Sequence, residues 1–132
     1  MSELPVSVAI IDDDELYRAI LARMLRRSGM AVAFEANNGK SGIEQMSGCL
    51  PLPSVIIMDI EMPVMDGFET AKHMKTQWPW VPIVAHSSLT NYQAADRMIH
   101  SGADSFISKS ADIEQLAHTI KQIAVSKRNK TC

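Results

Sequence analysis

The chain has 132 residues, of which 46% are hydrophobic and 21% are charged, and its formal net charge is -2. This length suits a single domain with one buried core, and the small net charge gives no general electrostatic attraction to nucleic acid. The two cysteines, Cys49 and Cys132, are too few for a disulfide framework and lack the spacing of metal ligands, so we expect free thiols in a reducing cytoplasm.

Five apolar stretches alternate along the chain with five segments of helical periodicity. The acidic start of the chain, before the first stretch, predicts that there is no signal peptide. The first stretch, residues 6–11, and the third, residues 55–58, are continuously apolar, which is typical of strands buried on both faces. The other strands are predicted at residues 31–36, 81–86 and 105–108.

Start and stop signals place a helix after each predicted strand. Gly29 is a stop signal for the first helix, Thr90 with Gln93 resembles a capping box for the fourth, and Asp112 is expected to cap the last. The predicted helices cover residues 15–28, 40–47, 68–77, 91–101 and 112–125.

This strict alternation predicts a doubly wound parallel α/β sheet with right-handed crossovers. If the two continuously apolar strands are central, the flavodoxin-like strand order 2-1-3-4-5 follows, with a ligand crevice outside the carboxyl ends of the first and third strands. We expect residues 1–125 to form the domain and residues 126–132 to be a C-terminal tail or a linker stub. No uncharged run is long enough to span a membrane, so a soluble, cytoplasmic protein is expected.

Charged and polar side chains follow the predicted strands at this same edge of the sheet. Asp12 and Asp13 follow the first strand, and Asp59 follows the third; Ser87 and Lys109 follow the fourth and fifth. Three carboxylates in one crevice repel one another unless a cation lies between them, and Mg²⁺ prefers oxygen ligands. Phosphoryl transfer asks the protein for positioning and charge stabilisation. The pattern therefore predicts a magnesium-dependent phosphoryl acceptor.

Four segments around these residues carry a family resemblance. They are Val-Ala-Ile-Ile-Asp-Asp-Asp at 8–14, Met-Asp-Ile-Glu-Met-Pro-Val-Met-Asp-Gly at 58–67, Pro-Ile-Val-Ala-His-Ser-Ser at 82–88 and Gly-Ala-Asp-Ser-Phe-Ile-Ser-Lys at 102–109. Over residues 5–125 the chain resembles the receiver domain of two-component response regulators, and the second segment is the most specific of the four.

The resemblance implies that Asp59 accepts a phosphoryl group from a histidine kinase or a histidine phosphotransferase. It also implies that Mg²⁺ is held by Asp12, Asp13, Asp59 and the backbone carbonyl of Glu61. Beyond the phosphorylation and dephosphorylation of its own aspartate, the chain is not expected to be an enzyme.

The resemblance further implies a switch. Ser87 matches the switch hydroxyl, Lys109 the phosphate-contacting lysine and Phe106 the aromatic switch position, while Ser88 stands where the family usually has alanine. Backbone N–H groups near Ser88 and in the loop after Asp59 are expected to complete the phosphate site. Phosphorylation would change the surface of the fourth helix, fifth strand and fifth helix. Its partners would be a downstream protein target, a fused output domain or a second copy of the chain; no membrane contact and no direct nucleic-acid binding are expected.

The chain departs from the family pattern after Lys109, where Ser110 replaces a proline that usually follows a cis peptide bond. A cis bond before another residue costs ~3 kcal/mol, so either local packing holds a cis bond or the bond is trans and Lys109 approaches the site differently. His86, beside the site, is interpreted as a packing residue.

Two other functions stay open. The pattern Asp12-x-Asp14 imitates the first motif of haloacid-dehalogenase-type phosphatases, which also form an aspartyl phosphate with Mg²⁺, although Leu16 stands where threonine or valine is expected. The other alternative is a receiver that serves only as a docking module. The residue that takes the phosphate, Asp59 or Asp12, distinguishes a receiver from a phosphatase.

Overall fold

The computed structural model describes residues 5–89 and 91–131, without the side chains of residues 128–131. Its sheet has five parallel strands in the order β2-β1-β3-β4-β5. The strands are β1 (Ser7–Ile11), β2 (Ala31–Ala36), β3 (Val55–Met58), β4 (Ile83–Ser87) and β5 (Ser105–Ser108). This order confirms the predicted flavodoxin-like fold with β1 and β3 at its centre.

Five helices connect and follow the strands. They are α1 (Glu15–Arg27), α2 (Gly39–Ser47), α3 (Gly67–Gln77), α4 (Tyr92–Ser101) and α5 (Ile113–Thr131). The prediction ended the last helix too early, since α5 continues beyond residue 125 to Thr131. Strand β4 starts two residues later than predicted, because Pro82 has no N–H to donate to a strand ladder.

Side-chain caps fix where several helices begin. The carboxylate of Asp14 accepts a hydrogen bond from the backbone N–H of Tyr17 at 3.0 Å, so Asp14 starts α1 as an N-cap. Helix α4 is capped by Asn91, whose side-chain oxygen accepts from the N–H of Ala94 at 2.7 Å. The predicted capping box at Thr90, like the predictions for residues 1–4 and Cys132, lies outside the described residues.

The core has two layers, one on each face of the sheet, because successive strand residues point to opposite faces. Ile11 and Met58 lie in the layer covered by α2, α3 and α4, whereas Val8 and Ile10 lie in the layer covered by α1 and α5. Strands β1 and β3 are buried along almost their whole length, as their continuous apolar runs predicted. Among the described helices, none combines the length and apolar character needed to cross a bilayer.

One glycine sets how closely α3 approaches the end of β3. A Cβ atom on Gly67 would lie 2.3 Å from the carbonyl oxygen of Asp59 and 2.8 Å from the Cα of Ile60. The Gly67 N–H instead donates to the carbonyl of Ile60 at 2.7 Å. Because any side chain here would push the backbone apart, Gly67 allows a tight loop beside Asp59.

Candidate functional site

The predicted carboxylates meet at one point. Asp12 and Asp13 follow β1 and Asp59 follows β3, and carboxylate oxygens of the three residues all lie within 4.8 Å of one another. Ile11 pairs with Met58 in neighbouring strands, so the residues that follow leave the sheet side by side. Asp12 is only 3% exposed and Asp59 6%, while Asp13 faces solvent.

Lys109 lies between the two buried carboxylates. Its Nζ is 2.8 Å from Asp12 Oδ2 and 3.3 Å from Asp59 Oδ2. The backbone N–H of Lys109 donates to the carbonyl of Ser87 at 2.9 Å, which extends the pairing of β4 and β5 to the site. Leu50–Pro51 is the cis bond within the described part of the chain, so the Lys109–Ser110 bond is trans and Lys109 nevertheless reaches both carboxylates.

Burial and charge shift the pKa of Asp59 upward. Desolvation by burial is the largest cause and the nearby Asp12 carboxylate the second, and together they raise the pKa of Asp59 to about 7 despite the opposing effect of Lys109. Burial alone would lower the pKa of Lys109, but its hydrogen bond to Asp12 and the charges of both carboxylates raise it. The site therefore holds an excess of negative charge that one ammonium group only partly offsets.

Backbone groups orient the two buried carboxylates. Asp59 Oδ1 accepts from the N–H of Ile60 at 2.8 Å, and Asp12 Oδ1 accepts from the N–H of Asp14 at 2.9 Å. Arg18 donates from Nη1 to the backbone carbonyl of Asp12 at 2.6 Å. These bonds leave one oxygen of each carboxylate, Oδ2, on the side of Lys109.

The remaining predicted residues lie around this cluster but do not all point into it. Ser87 is buried, and its hydroxyl accepts from the N–H of Leu89 at 3.1 Å. Ser88 and the side chain of Glu61 are exposed. Phe106 is half-buried and packs on the core layer beneath α4. Their roles, and that of the Glu61 carbonyl, stay predictions.

The chemistry of the donor set fits a hard divalent cation. Carboxylate oxygens from Asp12, Asp13 and Asp59 converge on one point, and oxygen ligands of this kind are what Mg²⁺ prefers. Burial and the neighbouring Asp12 carboxylate raise the pKa of Asp59 even with Lys109 beside it, so additional positive charge at the site would favour its ionised form. A bound cation would supply that charge, so the residues present suit Mg²⁺.

The predicted site did not include Tyr17, and it gave His86 only a packing role. Tyr17, on α1, donates from its hydroxyl to His86 Nε2 at 2.6 Å, and its ring lies under the ammonium of Lys109, 4.6 Å from Nζ to the centroid. His86 is buried, as the packing interpretation requires, yet both its ring nitrogens are hydrogen-bonded. The signal in the sequence was that Tyr17 lies in the first turn of the helix that directly follows Asp12 and Asp13.

The chain matches one family over most of its length. The model of the response regulator receiver domain matches residues 8–121. The two-component response regulator ORR41 of Oryza sativa subsp. japonica is 32% identical over 117 residues, which cover 88% of this chain and 92% of that protein. The transcriptional regulatory protein ZraR of Klebsiella oxytoca is 32% identical over 122 residues, but the chain spans only 27% of its length.

Solved structures show the same fold. A response regulator receiver domain protein from Methanospirillum hungatei JF-1 superposes with a TM-score of 0.87 at 18% identity, covering 96% of this chain and 99% of that one. The receiver domain of the Francisella response regulator 1452 gives a TM-score of 0.82 at 22% identity, covering 91% and 97% of the two chains. Both likenesses cover more than nine tenths of this chain and show its fold.

Proposed function

The chain belongs to the response regulator receiver domain family, and on that premise we propose that Asp59 accepts a phosphoryl group in a two-component phosphorelay. The observation that carries the proposal is the position of Asp59. It is the buried carboxylate at the end of β3, with Lys109 3.3 Å away and two further carboxylates within 4.8 Å. A nucleophile, a cation and a metal-binding acidic pair thus share one crevice.

The proposed step transfers a phosphoryl group from a nitrogen or oxygen atom of the donor to a carboxylate oxygen of Asp59. A carboxylate oxygen of Asp59 bonds to the phosphorus of the donor, the bond from phosphorus to the donor's leaving atom breaks, and that atom keeps the bonding electron pair. Lys109 contacts the transferred group as a point charge and offsets its negative charge. Attack of water on the acyl phosphate later releases inorganic phosphate and restores the Asp59 carboxylate.

Mg²⁺ would be held by Asp12, Asp13, Asp59 and the carbonyl of Glu61. When bound, it supplies the positive charge that lets a carboxylate approach an anionic phosphoryl group. The chain's own residues prepare for this: the N–H of Ile60 fixes one oxygen of Asp59, and the N–H of Asp14 fixes one oxygen of Asp12. A histidine kinase or a histidine phosphotransferase would be the donor, acting in the cytoplasm.

The first test is where the phosphate lands. With acetyl phosphate and Mg²⁺, intact mass should show one added phosphoryl group on the wild type and none on Asp59→Asn, since the acyl phosphate needs that carboxylate. Asp12→Asn should still take up phosphate at Asp59, though more slowly. Uptake that survives Asp59→Asn and disappears in Asp12→Asn would support the phosphatase alternative instead.

The metal site predicts different effects for two neighbouring aspartates. Asp13→Ala should weaken Mg²⁺ binding about tenfold or more, because an oxygen of its carboxylate, although exposed, lies within 4.8 Å of those of Asp12 and Asp59, and removing a ligand or its partner has effects of this size. Asp14→Ala should change Mg²⁺ affinity little and instead weaken the start of α1, which Asp14 caps. An NMR titration of both variants with Mg²⁺ measures this; equal affinities would contradict the assigned ligands.

Phosphorylation is expected to move the Ser87 hydroxyl from the N–H of Leu89 to the phosphoryl group. The space vacated behind β4 would let Phe106 turn inward and bury apolar area worth ~25 cal/mol per Å². The α4–β5–α5 surface would then favour a second packing, open to an output domain, a protein target or a second copy.

Beryllofluoride with Mg²⁺ provides the measurement for this switch. NMR shifts should change at residues 12–13 and 59–61 and also at residues 88–108, because the second set carries the altered packing. A Phe106→Ala variant should keep the first set of changes and lose most of the second. Changes confined to the first set in the wild type would mean that phosphate binds without reaching this surface.

A further inference from the structure

Tyr17 forms one wall of the crevice on the side of α1. Its ring centroid lies 4.6 Å from Lys109 Nζ, and its side chain is half-buried between α1 and the end of the sheet. An ammonium within about 6 Å of an aromatic centroid is attracted to the face of the ring, more strongly where water is excluded. Lys109 is therefore held by three groups: the carboxylates of Asp12 and Asp59, and this ring.

His86 fixes the orientation of that ring. Its Nδ1 lies 2.9 Å from the carbonyl oxygen of Ile107, which only accepts, so Nδ1 carries the proton and donates. Nε2 then accepts from the Tyr17 hydroxyl, at 2.6 Å. Burial lowers the pKa of His86, in keeping with a neutral ring that has one donor and one acceptor nitrogen. These hydrogen bonds link Tyr17 on α1 through His86 on β4 to Ile107 on β5, which lies two residues before Lys109.

We propose that Tyr17 is a positioning residue for Lys109, and that His86 holds Tyr17 in place for this role. A lysine side chain has four rotatable bonds and loses much conformational freedom when it is fixed. The Tyr17 ring adds a contact to the ammonium beside those of the two carboxylates, so the ammonium stays where the transferred phosphoryl group must arrive. This inference rests on the proposed function for its kinetic consequence but not for its geometry.

The kinetic test compares variants of Tyr17 in two backgrounds. Tyr17→Leu should slow the initial rate of phosphorylation from acetyl phosphate about tenfold, the size expected from losing a partly desolvated cation–π contact. Tyr17→Phe keeps the ring but loses the hydrogen bond to His86, so it should be slowed about threefold, less than Tyr17→Leu. Trp80→Leu is the control, because Trp80 is an aromatic residue that is 55% exposed and lies before β4, at the opposite end of the sheet from the crevice.

The second background is Lys109→Met. If Tyr17 acts through Lys109, Tyr17→Leu should cause no further slowing once the ammonium is gone. An equal slowing in both backgrounds, or none in either, would overturn the proposal. If Tyr17→Leu does not fold, Tyr17→Met replaces it, since its flexible apolar side chain fills a similar space without a ring.

A separate readout does not need phosphorylation at all. With ¹³C-labelled lysine, the Hε protons of Lys109 should show an upfield ring-current shift in the wild type and in Tyr17→Phe, and lose it in Tyr17→Leu. If the wild type takes no phosphate on Asp59 but this shift pattern appears, the proposed function has failed while the positioning role stands. If the shift is missing in the wild type, the ring does not lie over Lys109 and the positioning role is wrong.

Discussion

Replacing Lys109 with methionine is expected to slow phosphorylation of Asp59 by about 100-fold or more, the usual effect of removing one preorganised charge from a transferring group. Lys109 Nζ lies within 3.3 Å of both buried carboxylates, so its ammonium is already in place before the donor binds. Methionine matches the apolar stem of the lysine side chain but lacks its charged ammonium group. The substitution should lower the rate of phosphoryl transfer itself, because the nucleophile and the proposed metal ligands are unchanged.

Lys75→Met provides a matched control for this variant. Lys75 is a lysine of similar exposure, 21% against 16%, and its Nζ forms an ion pair with Asp104 at 2.9 Å outside the crevice. We expect Lys75→Met to lose some stability but to be phosphorylated at the wild-type rate. Lys109→Arg should lie between the wild type and Lys109→Met, since it keeps the charge in a different shape.

Initial rates from acetyl phosphate, followed by intact mass at saturating Mg²⁺, give the comparison. Lys109→Met also leaves two buried carboxylates without their cation, so its urea unfolding must be measured beside the rate. A Lys109→Met protein that is folded and phosphorylated within threefold of the wild type, a margin of about 0.7 kcal/mol, would show that Lys109 does not stabilise the transferred group.

The part of the site that lies on the strand ends could be predicted from the sequence. Apolar runs with no polar alternation identify β1 and β3 as central strands. Parallel strands end at the same edge, so Asp12 and Asp59 had to lie near each other once β1 and β3 were neighbours. The pairing of Ile11 with Met58 then sets the register that the prediction needed.

The contacts between a helix and a strand could not be predicted in this way. Tyr17 and His86 are 69 residues apart, and their hydrogen bond depends on how α1 docks on the sheet. Periodicity predicts which face of α1 is buried, but not the axial position that brings one hydroxyl to one imidazole. The Ser87 hydroxyl is a similar case, since its bond to the N–H of Leu89 depends on the conformation of the following loop.

Without metal, Asp59 is expected to cost the folded protein stability at neutral pH. Burial and the charge of Asp12 raise its pKa from 3.8 to about 7 in the folded state. Between these two values the folded state binds a proton that the unfolded state has already released, so stability falls as the pH rises. This loss of stability is absent at pH values below the pKa of Asp59 in the unfolded chain, and it is complete at pH values above its pKa in the folded protein.

Asp59→Asn should remove this cost, because asparagine matches the shape of a protonated aspartate and carries no charge at any pH. Relative to the wild type in EDTA, the variant should be little changed at about pH 4 and more stable by about 2–4 kcal/mol at about pH 8. Lys109 would keep its shorter ion pair with Asp12, at 2.8 Å, in the variant.

Urea unfolding at several pH values measures the difference, and Mg²⁺ provides an internal check. Added Mg²⁺ should stabilise the wild type more than Asp59→Asn. The wild type offers the cation one more carboxylate ligand, so it binds Mg²⁺ more tightly, and the cation offsets a negative charge that the variant lacks. Asp66→Asn is the control: it removes an exposed carboxylate outside the cluster and leaves an equally good N-cap on α3. An advantage of Asp59→Asn that stays constant from about pH 4 to about pH 8 would mean that the variant's gain in stability does not come from removing a carboxylate with a raised pKa. Lys109 and the N–H of Ile60 would then accommodate the ionised Asp59 carboxylate on their own.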